Sequence, residues 1–171
     1  QLYHVTTDNN VPYNVLTNRQ DGPSMKGPSR SRTGNWFGPG MIQSGMWRAV
    51  GGGESGFATA DPKNPDIVFA GVMGDLYKST DDRGVYKSTD GGKTWSKKLF
   101  ANKDAGVVDL IIDPNNPRVL YASTWNIRRT PYSLSSGGDG SALWKSTDEG
   151  ETWTNISENN GLPGGIWGIV G

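Results

Sequence analysis

Apolar positions in this chain fall in short runs. Ile67 to Ala70 and Val119 to Ala122 are continuous apolar stretches of strand length, and the opening LYHVTTDN alternates apolar with polar positions, as a half-buried strand does. No long helical stripe built on Ala, Leu, Glu and Lys is present. The pattern predicts many short strands and tight turns, an all-β fold.

The strands recur in order. DPKNPDIVFAG at Asp61 to Gly71 matches DPNNPRVLYAS at Asp113 to Ser123, 52 residues on. STDGGKTW at Ser88 to Trp95 matches STDEGETW at Ser146 to Trp153, 58 residues on, and each follows an aromatic and a lysine. One unit therefore runs from an Asp-Pro-x-Asn-Pro turn through an apolar strand, a loop of variable length, a strand ending in Lys-Ser-Thr, and a Gly-rich turn to a strand opening with Thr-Trp. Repeats a little above the roughly 40–50 residues of known propellers, with several strands in each, fit four-stranded antiparallel blades around an axis.

Turn chemistry accounts for the second repeat. Asp90 and Asp148 can fold back to accept backbone N–H groups, and Gly92 and Gly150 supply positive φ. Ser88 and Ser146 open these turns, and Thr94 and Thr152 start the strands that follow. Trp95 and Trp153 then place large apolar bodies where neighbouring sheets pack.

Ser-x-Asp-x-Gly-x-Thr-Trp is the pattern of the Asp box, and both copies match it at every defining position. The chain resembles the Asp-box (BNR-repeat) β-propellers, above all the bacterial sortilin-like (Vps10-like) proteins and BNR-repeat glycosyl hydrolases. The runs RGVYKSTDGGKTW, DLIIDPNNPRVLYASTWNIRRTPY and SGGDGSALWKSTDEGETW resemble consecutive blades, and YHVTTDNNVPYNV and VGGGESGFATADPKNPDIVFAG resemble the same family. The resemblance implies that the boxes sit on the rim and hold the scaffold. It also implies an extracellular, cell-surface or periplasmic location. A sialidase would add an arginine cluster and a Phe/Tyr-Arg-Ile-Pro signature, for which RRTP is a poor match.

Closing about six to eight blades takes far more than 171 residues, so a partial propeller is expected, completed by the rest of a larger protein or by other chains. One local feature divides the chain. Tyr77 to Asp81 reads YKSTD, and the same five residues return at Tyr86 to Asp90. This marks 73–83 as a join or linker, or else a plain duplication, between blade segments over 1–72, which resemble a downstream part of the family, and two blades with one Asp box each over 84–171.

Charge and composition narrow the partners. Seventeen basic residues balance seventeen acidic ones, which leaves no broad basic face for nucleic acid. No apolar run approaches the ~20 residues of a membrane helix. With one histidine and no cysteine, no metal site is expected. No phosphate-cradling glycine loop opens a helix, so no cofactor is expected either.

Ligand candidates lie outside the turns. The stretch STWNIRRTPYSLSSGGDGS, Ser123 to Ser141, reads as the longest loop between apolar strands and brings Trp125, Arg128, Arg129 and Tyr132 together: aromatic faces for sugars or peptide side chains, and guanidinium forks for carboxylates or phosphates. His4, on a strand, is a further candidate should its end face a ligand. Glu54, in the small-residue loop GGGESGF, and Asp139 are the acids singled out for hydrolysis, which needs two carboxylates facing one sugar. The expected function is a ligand-binding or structural module for a protein, peptide or glycan; the alternative is a glycoside hydrolase acting on a polysaccharide through a pair of acids.

Overall fold

The structure, a computed structural model, describes residues 2–19, 22–30, 40–50 and 56–158. It is all-β, and one short 3-10 turn, Ser44–Met46, is the only helical segment among the described residues. The strands form three antiparallel sheets. The first holds β1 (Leu2–Thr7), β2 (Asn14–Arg19), β3 (Met25–Pro28) and β4 (Arg48–Ala49), hydrogen-bonded in that order. The second holds β5 (Phe57–Ala60), β6 (Val68–Val72), β7 (Gly84–Ser88) and β8 (Ser96–Leu99), again in chain order. The third pairs β9 (Ala105–Ile112), β10 (Leu120–Arg129), β12 (Ala142–Ser146) and β13 (Thr154–Asn155), while β11 (Leu134–Ser136) pairs with the far end of β10.

The first two sheets are four-stranded meanders and the third is a four-stranded meander with β11 added on β10, and the sheets stack in chain order as the blades of a partial propeller. Two apolar clusters fill the junctions. Leu16 and Val50 of the first sheet region meet Ala58, Ala60 and Val68 of the second. Phe69, Val85 and Leu99 of the second meet Val107, Leu110, Leu120 and Ala122 of the third. The middle sheet is therefore covered on both faces, which explains why β6 reads VFAGV without a polar position and is buried throughout.

The second sheet runs across the division expected at 73–83. Residues 73–83 connect β6 to β7, and those two strands pair from Val68 with Ser88 to Val72 with Gly84. Segments 57–72 and 84–99 accordingly share one sheet.

Two sequence expectations shift. Much of Ser123 to Ser141 is strand, because β10 keeps pairing with β9 as far as Asn126 and then with β11 through Arg129. Its buried positions, Thr124 and Ile127, are spaced among half-buried Ser123, Trp125 and Asn126 and exposed arginines, so no apolar run announces the extension. The strands after the Gly-rich turns start at Ser96 and Thr154, two residues late, because Thr94 and Thr152 are held by the turn aspartates.

Candidate functional site

A meander has two ends, and here they differ in chemistry. At one end lie the 61–67 and 113–119 turns and both Ser-x-Asp-x-Gly turns. At the other lie the 73–83 connection, the 100–104 link between sheets, and the β10–β11 hairpin.

The turn end is closed on itself. The Asp90 carboxylate accepts N–H bonds from Lys93 and Thr94, both at 2.9 Å, and the Thr94 hydroxyl at 2.7 Å. Ser88 donates to that carboxylate at 2.7 Å while its oxygen receives Gly92 N–H at 2.8 Å. Ser146, Asp148, Gly150 and Thr152 repeat this geometry within about 0.1 Å. The Thr94 backbone and hydroxyl hold Asp90 far below the usual carboxylate range, and the Thr152 hydroxyl and backbone do the same for Asp148. Both carboxylates are thus engaged within their own turns.

The two repeats are joined at this end. Gly91 N–H reaches Asp66 O at 2.8 Å, and Glu149 N–H reaches Arg118 O at 3.0 Å, so each Gly-rich turn is tied to the Pro-rich turn of its own sheet. Both carry positive φ, Gly91 at 72° and Glu149 at 61°. Trp95 packs on the cluster between the first and second sheets, and Trp153 on the cluster between the second and third.

The loop end is a hydrogen-bonded cluster built from two sheets. Arg83 is fully buried and gives its guanidinium to the carbonyls of Asp75, Lys78 and Asp104. Burial pulls its pKa down, while Asp104, Asp82 and Asp75 act in the opposite sense. Ser79 donates to the Asp104 carboxylate and receives Arg128 Nη1 at 3.3 Å. Thr80 N–H bonds Lys103 O at 3.0 Å, and Arg129 N–H bonds Leu76 O at 2.8 Å. The 73–83 connection is thereby fastened to the hairpin of the third sheet.

Between them runs an open groove of about 560 Å³ lined by Tyr77, Arg129, Pro131, Tyr132 and Leu134, with Thr130 and Ser133 at the hairpin tip. The tip is pre-set: Thr130 N–H bonds Ser133 O at 2.8 Å and Ser133 N–H bonds the Thr130 hydroxyl at 3.0 Å. Tyr132 is 89% exposed and Tyr77 55%, so a tyrosine of the hairpin and a tyrosine of the 73–83 connection both face solvent beside Arg129. Rings of this kind stack on apolar faces, and the fork donates to planar or clustered oxygens.

Of the residues singled out from the sequence, Arg129 and Tyr132 share this groove. Arg128 lies beside them but is turned to Ser79. Trp125 is half-buried, its indole N–H on the Ser136 hydroxyl at 3.0 Å, bracing the hairpin. His4 sits in the first sheet with its ring 4.9 Å from that of Phe57. Asp139 is exposed in the turn before β12. Glu54 lies outside the described residues. Three acids of the loop end are engaged locally: Asp75 takes Tyr77 N–H at 2.8 Å, Asp104 takes Ser79, and Asp81 pairs with Lys103 at 3.2 Å.

Tyr77 was not singled out from the sequence, although its place in the YKSTD doublet was visible. Asp8 is a second omission. Its N–H bonds Asn14 O at 3.1 Å, as Asp61 N–H bonds Ile67 O and Asp113 N–H bonds Val119 O. TTDNNVPYN is therefore a third copy of the Pro-turn repeat, with the aspartate and a proline four residues on as the surviving signal.

No family model matches the chain. It is 32% identical to the xyloglucanase Xgh74A of Acetivibrio thermocellus over 108 residues, covering 56% of this chain and 11% of that protein. A Paenibacillus xyloglucanase is 31% identical over 106 residues, 57% of this chain and 9% of its own length. The xyloglucanase of Hypocrea jecorina is 32% identical over 91 residues, 53% and 9%. The chain thus spans only 9–11% of these relatives. Among solved structures, an ancestral GH74 enzyme aligns with TM-score 0.47 at 15% identity over 83% of this chain and 16% of its own, and the GH74 enzyme of Niastella koreensis with TM-score 0.45 at 20% identity over 88% and 21%.

Proposed function

We propose that this chain is a glycan-binding segment of a polysaccharide-active Asp-box propeller akin to the xyloglucanases, with the Tyr77–Arg129–Tyr132 groove as its sugar-binding surface. The observation that carries the reading is one open groove lined by two exposed tyrosines and Arg129, Tyr77 on the 73–83 connection and Arg129 and Tyr132 on the hairpin bonded to it. Tyrosine faces cover the C–H faces of a pyranose, and the arginine donates to its hydroxyls. The two Asp boxes serve as the scaffold that holds the loop end still.

Hydrolysis belongs to the same reading at the level of the whole protein. It needs two carboxylates and water and no cofactor; Glu54 and Asp139 are this chain's candidates. A polysaccharide is met outside the cytoplasm, which supports an extracellular, cell-surface or periplasmic site of action. The binding-only reading draws on the local engagement of Asp75, Asp81 and Asp104.

Calorimetry and affinity electrophoresis against xyloglucan and other β-glucans test the proposal. Binding should weaken about tenfold in Tyr132→Ala and in Tyr77→Ala, as the loss of a ~1.4 kcal/mol stacking contact predicts. Equal binding by both variants and the unaltered chain, or none by any, rejects the groove. Release of reducing sugar that disappears in Glu54→Gln or Asp139→Asn would assign hydrolysis to these acids.

A further inference from the structure

The groove between the 73–83 connection and the β10–β11 hairpin carries charge of one sign. Arg129 is its only charged lining residue, and no aspartate or glutamate lines it. Successive strand residues point to opposite faces, so Arg128 is turned to Ser79 at 3.3 Å while Arg129 lines the groove. The Arg129 guanidinium is exposed and makes no hydrogen bond or ion pair among the described residues. Its backbone, in contrast, is held from two sides: Arg129 N–H bonds Leu76 O at 2.8 Å, and Arg129 pairs with Leu134 across the hairpin.

Other cations of this end are engaged. Lys78 lies 3.6 Å from the Asp75 carboxylate, Lys103 lies 3.2 Å from that of Asp81, and Arg83 is spent on main-chain carbonyls. Acceptors are scarce in the groove as well. The Thr130 hydroxyl oxygen takes Ser133 N–H at 3.0 Å and shares a 2.7 Å bond with the Ser133 hydroxyl, while Ser133 O takes Thr130 N–H at 2.8 Å. The polar groups of the tip thus satisfy one another.

The side chains left to meet a ligand are two phenols and a guanidinium, which has five N–H donors and no acceptor. Each hydroxyl of a neutral pyranose donates as well as accepts, and of these side chains only the phenol oxygens can take its proton. A carboxylate accepts only, and its two oxygens match the guanidinium fork. We infer that the groove selects a sugar bearing a carboxylate, a uronic acid residue, with Arg129 reading the charge and Tyr77 and Tyr132 covering the ring. The inference rests on this groove being the sugar-binding surface and adds the class of sugar it prefers.

Calorimetry with oligosaccharides bearing glucuronic or galacturonic acid, each beside its carboxyl-reduced form, tests it. The acidic form should bind roughly tenfold tighter than the reduced one, as hydrogen bonds to a charged partner predict. Added salt should weaken the acidic form alone. Arg129→Gln should erase the difference and leave the reduced form bound as before, whereas Arg129→Lys, which keeps the charge without the fork, should retain part of it. Both variants change an exposed side chain and should keep the circular dichroism spectrum of the unaltered chain. Equal affinity for acidic and reduced forms, with both weakened by Tyr132→Ala, overturns the inference and leaves the groove as a sugar-binding surface. A preference for the acid that survives in Arg129→Gln overturns it too. No binding of any oligosaccharide removes the groove and the inference together.

Discussion

Lys87 Nζ lies 2.8 Å from the Glu149 carbonyl oxygen and 2.8 Å from Glu151 Oε1, so a lysine on the second sheet is bonded to the Gly-rich turn of the third. Arg48 makes the equivalent bond one junction earlier, to Gly91 O at 2.6 Å. Each junction thus pairs a cation from one sheet with the carbonyl after the turn aspartate of the next.

Lys87→Met keeps the stem beside Phe69 and removes the ammonium. Unfolding free energy should fall by about 2 kcal/mol, the range for hydrogen bonds to a charged group, since the Glu149 carbonyl is left facing a thioether. Glu151→Gln should cost well under half as much, because Glu151 is half exposed and screened. Urea denaturation of both variants checks the order; a larger loss for Glu151→Gln would place the energy in the ion pair.

Gly150 has φ 76°, and a Cβ there would lie 2.6 Å from Phe69 Cε1. Gly150→Ala should therefore destabilise by about 2 kcal/mol or more, through backbone strain and overpacking together. Gly45, where a Cβ meets nothing within 4 Å, provides the control, and Gly45→Ala should stay within about 0.5 kcal/mol. Thermal unfolding of the two distinguishes a site-specific clash from a general cost of losing glycine.

Stability should depend on pH in a defined direction. Asp90, Asp148 and Glu151 all have lowered pKa values in the fold, and so does Asp8, where burial pushes upward but Asn14 and Lys26 outweigh it. The unfolded chain, with ordinary values of 3.8 and 4.5, binds more protons than the native state in acid. The contribution is present in full above about pH 5 and is lost progressively as pH falls through 4.5 and 3.8. Urea midpoints should be lower at pH 3 than at pH 7, and the difference should shrink in the Asp90→Asn, Asp148→Asn double variant; an equal difference in that variant would remove the turns from the account.

Arg83 touches no part of the groove, yet it holds the connection that carries Tyr77. Arg83→Met leaves the carbonyls of Asp75, Lys78 and Asp104 without their donor and should destabilise by about 3 kcal/mol, as the loss of several buried bonds does. Glycan affinity of the folded fraction should drop several-fold with Tyr132 intact. Unchanged affinity would show that Tyr77 does not need its loop fixed.

The Gly-rich turns were legible from the sequence because their partners are local: every bond to Asp90 and Asp148 comes from within four residues, so the motif specifies its own geometry. The short strands were legible for the same reason, from apolar runs bounded by proline and glycine. Tertiary structure decided what depends on register between distant segments. Lys87 is 62 residues from Glu149, and Tyr77 meets Arg129 only because two sheets stack with their loop ends aligned. Asp8 joined the Pro-turn repeat through a backbone bond to Asn14 that a side-chain pattern does not record. Short-range hydrogen bonds are written in neighbouring residue types; contacts across a sheet junction exist only once hydrophobic burial has set one blade against the next.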